Sequence, residues 1–86
     1  MHLEIITPDE TLYNGEVESV TLPGKKGAFQ VLKNHAAIIS SLSIGKIKYK
    51  KDGSEHEIMI KNGMVEVLKN NITVLVESLL TDEEGK

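Results

Sequence analysis

The stretch Lys46-Ile47-Lys48-Tyr49-Lys50-Lys51-Asp52-Gly53-Ser54-Glu55-His56-Glu57-Ile58 decides the fold. An Asp-Gly pair between two alternating segments is a strong signal for a two-residue hairpin turn. Closing the turn there sets Lys50 opposite Glu55 and Lys48 opposite Glu57. On the other side of the ribbon, Tyr49 faces His56 and Ile47 faces Ile58. Strand side chains alternate between faces. The charges therefore share one face and the larger apolar groups share the other. Turn, register and pairing support one another, which is the mark of a sequence that specifies its fold.

Working outward, Asn70-Asn71 reads as a second turn of the same length, pairing Val67 with Val74 and Val65 with Val76. A slip of one residue in either hairpin would scramble its apolar face. Toward the N-terminus, His2 to Thr7 reads as a strand stopped by Pro8-Asp9-Glu10. Leu12-Tyr13 leads to Asn14-Gly15, a turn or bulge. Glu16 to Leu22 is strand-like, with Val17 out of step with Val20 and Leu22, which predicts a bulge. Pro23 to Gly27 reads as a loop, Ala28 to Leu32 as a strand, Lys33 to Ala37 as a turn, and Ile38 to Leu42 as apolar again. Nine Ile, seven Val and five Thr against three Ala suit pleated sheets and not helices. The residues alone predict an all-β sandwich or barrel. Residues 1–80 are expected to form this domain, and the polar stretch 81–86 a disordered C-terminal tail.

Composition excludes several classes of function. A chain of 86 residues holds one small domain, with one modest core and little room for a deep cleft. Its 10 basic residues are all Lys and its 13 acidic ones leave a net charge of −3. Without Arg, bidentate recognition of phosphate and guanine is missing, so no nucleic-acid partner is expected. There is no Cys, hence no disulfide and no thiolate metal site. No run approaches the length that spans a bilayer, and the start of the chain lacks the pattern of a signal peptide. The chain reads as soluble and cytoplasmic, with no direct membrane insertion.

Candidate sites divide into weak chemical signals and structural ones. The Lys residues at 46, 48, 50 and 51 resemble a basic patch, yet Glu55 and Glu57 lie across from them and offset their charge. His2, His35 and His56 show no ligand spacing, so no metal is expected. His35 differs in sitting in a turn beside a glycine-bracketed loop, where binding residues concentrate. Gly24-Lys25-Lys26-Gly27 lacks the full phosphate-binding pattern and has no helix after it. Ser40, Ser41 and Ser43 have no evident base and acid in register. No nucleophile, base and orienting group assemble, so no catalytic residue and no cofactor is expected. Lys61, separated from Met59 by Ile60 and followed by Asn62-Gly63, supports an alternative reading. If Asn62-Gly63 were a hairpin tip, Lys61 would stand where a biotinyl or lipoyl carrier domain presents its modified lysine.

The chain also resembles a known family over nearly its whole length. Glu4-Ile5-Ile6-Thr7-Pro8, Leu12-Tyr13-Asn14-Gly15-Glu16-Val17 and Ser19-Val20-Thr21-Leu22-Pro23-Gly24 look like the epsilon subunit of bacterial rotary ATP synthase. So do Gly27-Ala28-Phe29-Gln30-Val31-Leu32 with Asn34-His35-Ala36, then Asn62-Gly63-Met64-Val65-Glu66-Val67 and Ile72-Thr73-Val74-Leu75. The resemblance implies a flattened antiparallel β-sandwich of about ten short strands. It implies a non-catalytic rotor subunit in the central stalk, at the cytoplasmic face of the bacterial inner membrane. There it would link the gamma subunit to the ring of c subunits and support the coupling of proton or sodium-ion flow to ATP synthesis.

By position, the resemblance puts the c-ring contact on Lys26, Ala28 and His35, and the gamma contact on Thr7, Ser40 and Ser41. The family often carries acidic residues where this chain has Lys26 and Ala28. Lys33, Asn34 and Ala37 replace its Pro and Gly around the histidine. Its members usually continue into a helical hairpin that can inhibit hydrolysis or bind ATP. This chain ends six residues after Leu80. The expectation is a form without helix-insertion inhibition and without a nucleotide site.

Overall fold

The computed structural model describes residues 1–79. The Asp52-Gly53 hairpin is as expected: Lys50 pairs with Glu55, Tyr49 with His56, Lys48 with Glu57 and Ile47 with Ile58. Both turn residues take positive φ, 52° and 79°, the geometry of a type I′ turn. This hairpin joins β6 (Gly45–Lys51) to β7 (Ser54–Leu68).

The remaining strands are β1 (His2–Ile6), β2 (Thr11–Glu16), β3 (Ser19–Gly24), β4 (Gly27–Val31), β5 (Ile38–Leu42) and β8 (Asn71–Leu79). All eight described strands belong to one hydrogen-bonded sheet that doubles back on itself. One layer runs β2-β1-β8-β7-β5 and uses the second half of β7, from Gly63 onward. The other runs β4-β3-β6-β7 and uses the first half of β7. Between the layers lie Leu3, Ile5, Leu22, Leu42, Ile47, Ile60, Val65 and Val74, each fully buried. Each large aliphatic side chain buried this way is worth about 1.5–3 kcal/mol relative to exposure. Among the described residues the buried side chains are aliphatic apart from Tyr49, so the core holds no charged or amide group.

The all-β expectation holds, with four local differences. First, β7 is a single strand of 15 residues, because Asn62-Gly63 is not a turn. Its register with β8 slips on each side of Asn62. Inward residues are even-numbered before the slip (Ile58, Ile60) and odd-numbered after it (Val65, Val67). A bulge of this kind bends a strand, and here it carries β7 from one layer to the other.

Second, Asn14-Gly15 lies inside β2, paired with Glu4 and Leu3. The break falls instead at Val17-Glu18. Val17 N–H donates to the Met1 carbonyl (2.9 Å) and Glu18 N–H to the Lys50 carbonyl (2.8 Å). The chain thus changes layers between adjacent residues, which explains why Val17, though buried, is out of step. Third, β1 and β8 pair in parallel. No short turn joins these two strands, so hairpin geometry does not constrain them to run antiparallel.

The second hairpin is also corrected. Its turn residues are Lys69-Asn70, with φ of 51° and 64°. The pairs are therefore Val67 with Ile72 and Val65 with Val74, a shift of two from the expected register. The tail at 81–86 lies outside the described residues, as does Leu80.

Candidate partner-binding surface

The residues expected to meet partners fall at four places in the fold. Lys26 is at the tip of the β3–β4 hairpin and Ala28 is the second residue of β4, both exposed. Ser40 and Ser41 lie in β5. These four line one open groove of about 700 Å³, whose apolar walls include Phe29 and Ile38. Both walls are half-buried and packed against the core. The hairpin tip is tied to β5, since Lys25 N–H donates to the Ser41 carbonyl at 3.2 Å.

His35 and Thr7 lie elsewhere. Asn34, which precedes His35, donates its N–H to Asn70 Oδ1 (2.7 Å), and Asn70 Nδ2 donates to Asn34 Oδ1 (3.2 Å). His35 therefore sits beside the β7–β8 turn, at the end of β1 where His2 pairs with Asn71. Its N–H donates to the Leu32 carbonyl (3.1 Å), and Nδ1 lies 2.7 Å from the Ala36 carbonyl oxygen. A carbonyl only accepts, so Nδ1 carries the proton that it donates to Ala36. Thr7 follows the opposite end of β1, where Ile6 pairs with Leu75. Its Oγ accepts from the N–H groups of Asp9 (3.2 Å) and Glu10 (3.1 Å). That hydroxyl is engaged in holding the β1–β2 turn.

The other singled-out residues are structural. His2 Nδ1 is 3.1 Å from Glu16 Oε2 and Nε2 is 2.6 Å from Asn14 Oδ1, which occupies both ring nitrogens. The Glu16 carboxyl is held below the usual carboxylate range by this His2 bond, assisted by the ammonium group of Met1. His56 stacks on Tyr49 at 5.2 Å, and Tyr49 packs on Tyr13 at 4.5 Å. Burial, and then the neighbouring Tyr13, push the Tyr49 phenol up. No cluster of three metal-ligating side chains occurs among the described residues. Lys46 Nζ is 3.3 Å from Glu57 Oε1, so the lysine face carries its own counter-charge. Lys61 lies inside β7 and beside the bulge. This corrects the geometry on which the carrier reading depended, because no hairpin tip exists there.

A further surface was not singled out from the sequence. On the outer side of the β2-β1-β8-β7-β5 layer, Ile39, Met64 and Leu75 are exposed at 69%, 44% and 47%. Met64 pairs with both Leu75 and Ser41, and Leu75 with Ile6. The stripe thus crosses four strands. A shallow depression of about 200 Å³ lies between Ile39, Met64 and Leu75. The available signal was loss of alternation. Val74-Leu75-Val76 and Ile38-Ile39 are apolar at consecutive positions, as in strands covered on both faces. No helix among the described residues is long and apolar enough to cross a membrane.

Comparison with known proteins gives a consistent result. The family model for the ATP synthase delta/epsilon chain, beta-sandwich domain, matches residues 1–82. The chain is 42% identical over 78 residues to the ATP synthase epsilon chain of Nitratidesulfovibrio vulgaris, covering 91% of this chain and 58% of that one. It is 46% identical over 78 residues to that of Campylobacter jejuni, covering 90% and 60%. The chain spans about three fifths of the length of the curated relatives it matches. Its fold is similar to a chain in the mitochondrial ATP synthase of Euglena gracilis, with a TM-score of 0.84 at 20% identity, covering 96% of this chain and 56% of that one. A chain from the Tetrahymena thermophila mitochondrial ATP synthase central stalk and c-ring gives 0.79 at 17%, covering 96% and 67%.

Proposed function

The chain belongs to the ATP synthase delta/epsilon beta-sandwich family, and from that premise we propose that it is a non-catalytic rotor subunit of the central stalk. In this reading it links the gamma subunit to the c-ring and supports coupling of proton or sodium-ion flow to ATP synthesis. It sits peripherally at the cytoplasmic face of the bacterial inner membrane and holds no cofactor. Lys26, Ala28 and His35 meet the ring. Thr7, Ser40 and Ser41 meet gamma.

The observation that carries this reading is the exposed apolar stripe of Ile39, Met64 and Leu75. It borders Ser41 through the Ser41–Met64 pair, and Ile6 continues it toward Thr7. A contiguous apolar patch on a small domain marks an interaction surface. Lys26, Ala28, Ser40 and Ser41 line one groove, so in this reading a single docked domain touches both neighbours.

A pull-down of the tagged chain from native membranes tests the reading. The expected outcome is recovery of gamma and c-ring subunits, with recovery lost in Met64→Asp. Retention of both partners by Met64→Asp would remove the stripe from the interface. Recovery of neither partner by the native chain would overturn the rotor reading.

A further inference from the structure

We infer that the open edge of β5, beside the Lys25-Lys26 turn, is a strand-addition site for an extended acidic segment of a partner protein. The inference rests on the reading above for the identity of the neighbours, and on its own geometry for the mode of contact.

β5 pairs along its length with β7, from Ile38–Val67 to Leu42–Gly63. On its other side the register contains one pair only, Gly24 with Leu42. Ser43 N–H donates to the Pro23 carbonyl (2.8 Å) and the Ser41 carbonyl accepts from Lys25 N–H (3.2 Å). Backbone groups alternate sides along a strand, so the N–H and C=O of Ile39 point toward that same side. The β3–β4 hairpin turns away before reaching them. Its Gly27 takes φ of 130°, and a Cβ on Gly24 would lie 2.8 Å from the Gly27 carbonyl oxygen. Pairing thus begins at Ser41 and stops one step short of Ile39.

Natural sheets usually protect such an edge with charge, proline or a cover. Ile38-Ile39-Ser40-Ser41-Leu42 contains neither charge nor proline. What flanks the edge is a groove with an apolar wall, Phe29 and Ile38, and two lysines, Lys25 and Lys26. Ion pairs among the described residues join Met1 and His2 to Glu16 and Lys46 to Glu57. Lys25 and Lys26 take part in none of them. An added strand gains affinity from main-chain hydrogen bonds and specificity from alternate side chains. Here the matching chemistry is an apolar residue set between carboxylates.

The test titrates the 15N-labelled chain with acetyl-Glu-Val-Glu-Val-Glu-amide, using the Gln-for-Glu peptide as control. The expected result is shift changes confined to β5 and the Lys25–Gly27 turn. Exchange of the Ile39 amide should slow about fivefold at saturation, since it gains a hydrogen-bond partner. The double variant Lys25→Glu/Lys26→Glu should bind roughly tenfold more weakly, and added salt should weaken the native chain in the same direction. Ile39→Pro removes the donor and should abolish binding. Equal binding of the Gln peptide, shifts centred on Met64 and Leu75, or no shift at millimolar peptide would overturn the inference. If peptide binding fails while the pull-down succeeds, strand addition is refuted and the assembly reading stands.

Discussion

The two outer faces of the sandwich are built on the same alternation but end in different chemistry. On the β4-β3-β6-β7 layer, Lys46, Lys48 and Lys50 face Glu55 and Glu57 across the hairpin, and Lys46 closes an ion pair with Glu57. That face satisfies itself in water. On the other layer, Ile39, Met64 and Leu75 stay exposed, with Glu66 lining the depression between them. Such a stripe costs solubility and adds nothing to an isolated domain. The difference lies in the outer faces alone, because both layers contribute to one core.

The sharpest way to break the comparison uses adjacent residues on β7. Val65 is fully buried and its neighbour Met64 points outward. Val65→Asp places an unpaired carboxylate in a core without charged or amide groups, at a cost of several kcal/mol. That is a large share of the about 5–15 kcal/mol that holds a domain together, so the variant should be unfolded by circular dichroism at 25 °C. Met64→Asp leaves the core intact and should shift the urea midpoint by less than about 1 kcal/mol. If the two variants were equally destabilised, Met64 would be part of the core and the stripe would not be a spare surface.

The two hairpins show how much of this was legible beforehand. Asp52-Gly53 fixes its own register, because that dipeptide tolerates the positive φ a type I′ turn demands. Lys69-Asn70 adopts the same turn without glycine, so the expected turn fell one residue late. The resulting register error of two keeps every side chain on its original face, and periodicity cannot detect it. The apolar face of Val65, Val67, Val74 and Val76 was therefore right although its pairs were wrong. The layer change at Val17 left a phase error in the sequence, but its cause, partners in two different layers, is a long-range fact. The residues proposed as contacts were harder still. Lys26, Ala28, Ser40 and Ser41 share a groove only because β3 meets β5 at a single pair. No local spacing encodes that meeting.

A smaller effect sharpens the contrast from the charged side. Lys46→Ala removes an exposed ion pair whose side chains are 51% and 43% accessible. Exposed pairs are worth about 0.2–1 kcal/mol and are screened by salt. The expected outcome is a change in the urea midpoint equivalent to less than about 1 kcal/mol at low salt, smaller still in high salt, with partner recovery unchanged. Loss of gamma or c-ring subunits in this variant would mean that the charged face also docks.

The smallest effect concerns the end of the sandwich, where β2 of one layer meets β6 of the other. Tyr49 packs there between Tyr13 and His56. Burial, and then Tyr13, raise its phenol above the ordinary value, which is about 10. A raised value means that the folded state favours the neutral phenol. The associated stability is fully present below the unfolded value and is lost as pH rises through the folded one. Tyr49→Phe cannot ionise at this position. Urea midpoints of the two proteins should keep a constant difference up to about pH 9 and then move in favour of the variant. Profiles that stay parallel to pH 11 would show that Tyr49 ionises in the folded state as easily as in the unfolded one. The contact between the layers at this end would then be open to water, unlike the sealed core beneath the apolar stripe.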